Sequence, residues 1–273
     1  MITPDILHLA EILRDAARAE ILPRFRRLET ADVRLKTEAI DMVTAADEAA
    51  ERMIGKAVAT YAPDALFVGE EAVAADPSLL QKLAEADLAI VVDPVDGTAN
   101  FAAGVPLFAT MATVVRAGEA IAGIIYDPMG DDWVLAERGA GAWLRRPDGT
   151  GHRLAVAEPP ARLDRMVGSL SVAFLPGDRA RIMGNAAKAR VIANYRVAGH
   201  EHRLMASGHL HFAIFGKLTP WDHPGGVLIT QEAGGHVARF DGSPYHLTHD
   251  SGGLLSAASK ACWDEVAAEI LRA

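Results

Sequence analysis

Apolar residues recur at helical spacing from the start of the chain: Ile6, Leu9, Leu13 and Ala17 share one helical face. Thr3 is placed to cap this helix, with Pro4 in its first turn and Asp5 against its positive end. Pro23 kinks or ends it. A second helix is predicted from Thr44, with Asp47 three residues on as the partner in a capping box and Met53, Ile54 and Val58 as its buried stripe. Residues 65–68 read as a short buried strand closed by Gly69-Glu70-Glu71, and residues 88–92 as another that ends at Asp93. Between 107 and 144 the apolar runs are broken by Ala117-Gly118, Asp127-Pro128 and Arg138-Gly139, the texture of successive antiparallel strands. The polar, Gly- and Pro-containing stretch 145–160 is the predicted boundary between two units, 1–154 and 155–273. Beyond it, strand signals at 166–170 and 191–197 alternate with helix signals at 180–189, 221–232 and 259–271. Mixed α+β and α/β layers, with helices stacked on sheets, are the expected architecture.

The 273 residues and an apolar fraction of one half suffice for a large core. The lone Cys262 has no disulfide partner within the chain. The stretch Met1-Ile2-Thr3-Pro4-Asp5 lacks the basic flank and apolar run of a secretory signal, and no apolar run approaches the roughly 18 residues of a membrane span. A cytoplasmic protein without membrane contact is expected. The net charge of −9 argues against general nucleic-acid binding. It also repels anionic substrates, unless bound cations reverse the field locally.

Acidic residues stand at element ends in three separate places: Glu70-Glu71, Asp93 with Asp96, and Asp222 at a predicted helix start. Loops at strand ends converge on crevices. Hard divalent cations want such clustered oxygens, and the Gly97-Thr98 turn offers backbone N–H groups to a phosphate. Each signal has a plainer explanation taken singly: a helix N-terminus for Asp222, a solvated loop for Glu70-Glu71, ordinary turns for Asp93-Pro94 and Asp96-Gly97.

Together and in order, Gly69-Glu70-Glu71, the run from Asp93-Pro94-Val95-Asp96-Gly97-Thr98 to Ala99-Asn100-Phe101, and Trp221-Asp222 resemble the inositol monophosphatase family. Asp41-Met42-Val43-Thr44-Ala45-Ala46-Asp47, with Lys36 ahead of it, and Glu232-Ala233-Gly234-Gly235 extend the resemblance over nearly the whole chain. It implies an αβαβα sandwich of the sugar-phosphatase type. It implies a phosphomonoesterase dependent on two Mg²⁺ ions, with room for a third, weaker ion near Glu70. Asp93 would bridge the two ions, Glu70 and the Val95 carbonyl would complete the first site, and Asp96 and Asp222 the second. Thr98 would orient or deprotonate the attacking water with Asp47 holding its hydroxyl, and Gly97 and Thr98 would present N–H groups to the phosphate. The implied partners are a small phosphorylated metabolite and a second copy of the chain.

Two departures bear on the substrate. Gly199-His200-Glu201-His202 replaces the family's Gly-Ser/Thr-Ala type of segment, which assigns Glu201 to a hydroxyl or amino group of the leaving alcohol and His200 to a second phosphate. Phe215 stands where inositol-specific members carry an acid, and an apolar ring accepts no hydroxyl hydrogen bond. Histidinol phosphate, fructose 1,6-bisphosphate and 3′-phosphorylated adenosine nucleotides therefore stand beside inositol phosphate as substrates. An RNA or transcription-complex partner on the same fold is the alternative from another class, opposed by the intact acidic set and the negative charge. Other motifs fail. Leu204 occupies the second-histidine position of a metalloprotease helix and Leu144 the third-glycine position of a dinucleotide loop. No Walker sequence, complete EF-hand loop or Gly-x-Ser-x-Gly elbow occurs.

Overall fold

The computed structural model describes residues 4–36, 42–175 and 177–272. Thr3 of the predicted cap and Asp41 of the upstream motif lie outside the described residues. The first helix, α1 (Ile6–Ala16), begins two residues later than Pro4 implied, because the Asp5 carboxylate accepts the Leu7 N–H at 2.8 Å and caps it. It loosens into a wide turn over Ala17–Ile21 and a tight one over Leu22–Arg24, which contains Pro23. A two-stranded ribbon, β1 (Val33–Leu35) with β2 (Met42–Thr44), leads into α2 (Ala45–Tyr61).

The larger sheet has seven strands in the order β3 (Leu66–Gly69), β4 (Leu88–Asp96), β5 (Ala109–Arg116), β6 (Glu119–Asp127), β7 (Asp132–Glu137), β8 (Gly141–Arg145) and β9 (Gly151–Arg153). β3 and β4 are parallel and the rest are antiparallel, as the turn-broken apolar runs predicted. Two short helices, α3 (Glu70–Ala75) and α4 (Leu79–Glu85), join β3 to β4, and α5 (Thr98–Ala102) follows β4. The stretch 145–160 contains the edge strand β9, all of it exposed, so the larger sheet runs to Arg153.

The smaller sheet has five strands in the order β11 (Val191–Ala193), β10 (Val167–Leu170), β12 (Phe212–Phe215), β14 (Leu254–Ala257) and β13 (His236–Arg239). β11, β10 and β12 run parallel, while β14 opposes its neighbours. The strand at 191–197 stops at Ala193 because Arg196 takes a left-handed φ of 62° and the chain turns into α7 (Ala198–Ala206). The other helices of this half are α6 (Arg179–Ala186), α8 (Pro224–Glu232) and α9 (Lys260–Val266).

The layers follow from which faces are apolar. α1 and α2 cover one face of the larger sheet through Leu9, Leu13, Ile54, Ile90 and Val92. α7 and α8 cover its other face through Ala206 and Ile229 against Met111 and Ile125, and their far sides pack on the smaller sheet through Met205 and Val227 against Ala213 and Val237. α6 and α9 close the outer face of the smaller sheet. The result is the αβαβα sandwich, with α7 and α8 wedged between the sheets and the strand ends of both opening on one crevice.

Candidate active site

β4 supplies the centre of the site. In a regular strand residues three apart point to opposite faces, which would separate Asp93 from Asp96. The pairing of β4 with β5 slips between Asp93 and Asp96, and this bulge turns both carboxylates to one side. The Val95 N–H donates to Asp93 Oδ1 at 3.0 Å, and Thr110 Oγ1 donates to the Pro94 carbonyl at 2.9 Å, so the bulge is braced from both sides. Asp222, just before α8, joins them: ligand oxygens of Asp93, Asp96 and Asp222 all lie within 4.8 Å of one another. Glu70, at the end of the neighbouring β3, lines the same cavity of about 220 Å³.

Asp93 and Asp96 are buried, and burial followed by repulsion from their carboxylate neighbours pushes their pKa values well above the ordinary range. Burial, more than the neighbouring Asp222, pushes Glu70 up to about 8 even though Lys36 opposes the shift. Lys36 Nζ donates to Glu70 at 2.7 Å and Glu71 at 2.6 Å. Burial works against its charge, yet the two carboxylates hold it protonated, above its usual value. One ammonium facing this many carboxylates leaves the site short of positive charge, and the donor set of closely spaced carboxylate oxygens fits a hard divalent cation. Among the described residues this is the only cluster of three or more metal-type side chains.

The cluster is positioned by backbone amides. The first N–H groups of α7, from Ala198 and Gly199, donate to Asp96 Oδ1 and Oδ2 at 3.2 and 2.5 Å. A β-carbon on Gly199 would lie 2.9 Å from Asp96 Oδ2 and 2.8 Å from Met111 Sδ, so only glycine permits this approach. Glu51 of α2 plays the opposite part beneath Glu70: its carboxylate accepts the N–H groups of Glu71 and Ala72, both at 2.8 Å, and anchors the start of α3. Sequence reading missed Glu51; its place on the inner face of α2 four residues after Asp47 was the available signal.

Thr98 opens α5 after Gly97, whose φ of 87° favours glycine and whose missing β-carbon makes room for Val197. The Thr98 hydroxyl stands 3.0 Å from Asp47 Oδ1 and 2.9 Å from the Val95 carbonyl. Asp47 also completes the capping box of α2, accepting the Thr44 N–H at 2.9 Å, so one carboxylate makes both contacts. Burial pushes Asp47 up to about 6. Asn100 ties α5 across the crevice by donating to the carbonyls of Leu107 and Tyr195 at 3.1 and 2.9 Å.

The segment 199–202 divides. Glu201 lines the cavity wall; its Oε1 accepts the Tyr195 N–H at 3.4 Å, and burial pushes it up to about 8 against the opposing effects of that N–H and the Ser169 hydroxyl. His200 does not reach the cavity. It is buried on the side of the larger sheet, with Nε2 3.1 Å from the Phe108 carbonyl, which removes the geometric basis for its meeting a second phosphate. His202 and His223 form a buried pair at 3.4 Å; both rings contact Phe215, and burial holds both below the usual imidazole range. His223 Nε2 meets the Lys217 carbonyl at 2.9 Å, which fixes the turn that presents Asp222.

A model of the inositol monophosphatase family matches residues 5–273. The chain belongs to the inositol monophosphatase family. A fructose-1,6-bisphosphatase/inositol-1-monophosphatase of Thermotoga maritima is 30% identical over 213 residues, 77% of this chain and 76% of the relative. A histidinol-phosphatase of Streptomyces coelicolor is 30% identical over 251 residues, 88% of each chain. The crystal structure of the extragenic suppressor protein suhB from Bartonella henselae superposes with a TM-score of 0.82 at 26% identity, covering 97% of this chain and 98% of the other. This inositol monophosphatase family member is a phosphoric monoester hydrolase acting on small phosphorylated substrates, and its layered fold is the family's own. No helix among the described residues is long and apolar enough to cross a membrane.

Proposed function

We propose that the chain is a Mg²⁺-dependent phosphatase of a small phosphorylated polyol or sugar, acting by direct attack of water on phosphorus. The supporting observation is the convergence of Asp93, Asp96 and Asp222 within 4.8 Å beside the Thr98–Asp47 hydrogen bond. Glu70, Asp93, the Val95 carbonyl, Asp96 and Asp222 are the residues that would hold two Mg²⁺ ions. When bound, the ions neutralise phosphate oxygens and acidify water. Thr98 Oγ1 orients the attacking water and takes its proton while passing its own to Asp47 Oδ1. A threonine alone is a poor base, and the buried carboxylate behind it supplies the acceptor. The N–H groups of Gly97 and Thr98 hold phosphate oxygens where charge builds up in the transition state. Glu201 contacts the leaving alcohol from the opposite wall. The working unit is a homodimer, which light scattering on the purified protein tests.

A phosphate-release panel tests the reading: inositol 1-phosphate, histidinol phosphate, fructose 1,6-bisphosphate and 3′-phosphoadenosine, each with Mg²⁺ and with chelator. Mg²⁺-dependent release from at least one ester, abolished by Asp93→Asn, supports it. Full biological activity of Asp93→Asn alongside no release from any ester would replace it by a non-catalytic role in an RNA or transcription complex.

A further inference from the structure

The C-terminal ends of three parallel strands, β11, β10 and β12, form one rim of the cavity. β10 is the middle strand, so residues that follow β11 and β12 stand two inter-strand spacings apart, roughly 10 Å. Arg196 follows β11 and Lys217 follows β12, and both line the cavity. They are its only lysine or arginine among the described residues; the other charged groups of the lining are the carboxylates Glu70, Asp93, Asp96, Glu201 and Asp222. By contrast, Lys36 pairs with Glu70 and Glu71, and Arg203 with Asp132. Arg196 and Lys217 make no ion pair among the described residues, in a chain of net charge −9.

The side chain of Lys217 and the backbone of Arg196 are held in place. The Lys217 ammonium lies 5.1 Å from the ring centroid of Phe174, which the loop after β10 carries between the two positions. Arg196 sits at a left-handed φ of 62°, a conformation that a non-glycine residue keeps only where its surroundings enforce it. Here Asn100 grips the carbonyl of the preceding Tyr195, and the following Val197 packs into the space left by Gly97. Exposed cations are ordinary on protein surfaces. Two unpaired ones stand on the rim of a cavity whose other charged residues are all acids, where an anion distinct from the phosphate at the carboxylate cluster would find cationic partners. The adjoining wall carries Phe215, buried against His202 and His223, which reads no hydroxyl.

We propose that Arg196 and Lys217 bind a second anionic group of the substrate, so that the preferred ester carries a carboxylate or a further phosphate beyond the scissile one. This rests on the phosphatase reading of the same cavity. Two matched pairs separate the sources of charge: 3-phosphoglycerate against glycerol 3-phosphate for a carboxylate, and fructose 1,6-bisphosphate against fructose 1-phosphate for a phosphate. Steady-state kcat/KM and calorimetric Kd are measured for each on the parent, Lys217→Gln and Arg196→Gln/Lys217→Gln, all with melting curves to confirm folding. The more anionic member of at least one pair is expected to be favoured by tenfold or more in kcat/KM or Kd. The ratio should fall toward one in the double variant and part-way in Lys217→Gln. Phosphate release without such a preference, or a preference that survives both substitutions, overturns the anion site and leaves the phosphatase standing. Selective binding of the more anionic member with no turnover of any ester has the reverse meaning: the anion site stands and the hydrolytic reading falls.

Discussion

Thr98→Ala isolates the step that separates a phosphatase from a metal-binding scaffold. The hydroxyl has one proton and two acceptors in reach, Asp47 Oδ1 at 3.0 Å and the Val95 carbonyl at 2.9 Å. Its removal deletes a single hydrogen bond at a time, a stability loss of about 1 kcal/mol. Asp47 keeps its contacts to Thr44, and no carboxylate of the cluster loses a donor. Catalysis loses its proton acceptor, which general-base catalysis values at roughly 10²–10⁴ in rate, or about 3–5 kcal/mol of barrier. Phosphate release measures kcat, and calorimetric titration with Mg²⁺ measures ion affinity on the same preparation. The expected result is a fall in kcat by at least about two decades with Mg²⁺ affinity within about threefold of the parent. A fall of both by the same factor, or a kcat within about threefold, means Thr98 does not carry the proton.

The remaining expectations follow from the buried carboxylates. Asp47 has a raised pKa of about 6, so the form that accepts a proton is present above that value and lost below it. The acid limb of kcat/KM should lie near pH 6 and change in Asp47→Asn; an identical limb in the variant removes Asp47 from the proton path. Glu201 is pushed up to about 8, while an unfolded glutamate ionises near 4.3. Between those values the folded chain holds a proton that the unfolded chain releases, so this group's effect on stability is absent at low pH and grows unfavourable as pH rises to 8, to roughly 5 kcal/mol at most. The melting temperature of Glu201→Gln relative to the parent should therefore climb from pH 5 to pH 8, and a constant difference contradicts the burial effect. Glu51→Ala removes the acceptor of two amides beneath Glu70, and Mg²⁺ affinity in calorimetry should fall by about 10–100-fold. Unchanged affinity would make Glu51 a helix anchor without influence on the site. In chelator, Asp93→Asn should melt above the parent because it removes one of the mutually repelling acids; a lower melting point contradicts the charge imbalance.

What the sequence revealed was local in origin. Asp93, Asp96, Gly97 and Thr98 sit in one short run, and Thr44 with Asp47 in another, so each run stood out in the sequence, while their joining into one site came from the family resemblance. The bulge that turns Asp93 and Asp96 to one side depends on the partner strand, and nothing in β4 taken singly announces it. The burial of Glu201 in the cavity wall and the displacement of His200 from the cavity arise where α7 is pinned between two sheets; an isolated helical pattern offers either residue equally. β12 passed unnoticed because Phe212–Phe215 is a four-residue run buried on both faces, without the alternation that marks a strand. β9 gave no strand signal because its exposed Gly151–Arg153 lacks any apolar residue, yet its backbone completes the larger sheet.

Anomalous diffraction from crystals soaked in Mn²⁺, with and without competing Mg²⁺, is the most direct test of the cation cage. One peak is expected within coordination distance of Asp93, Asp96 and Asp222 and a second beside Glu70 and the Val95 carbonyl, both weakened by Mg²⁺. No peak at these carboxylates, in crystals where Mn²⁺ is bound elsewhere, contradicts it.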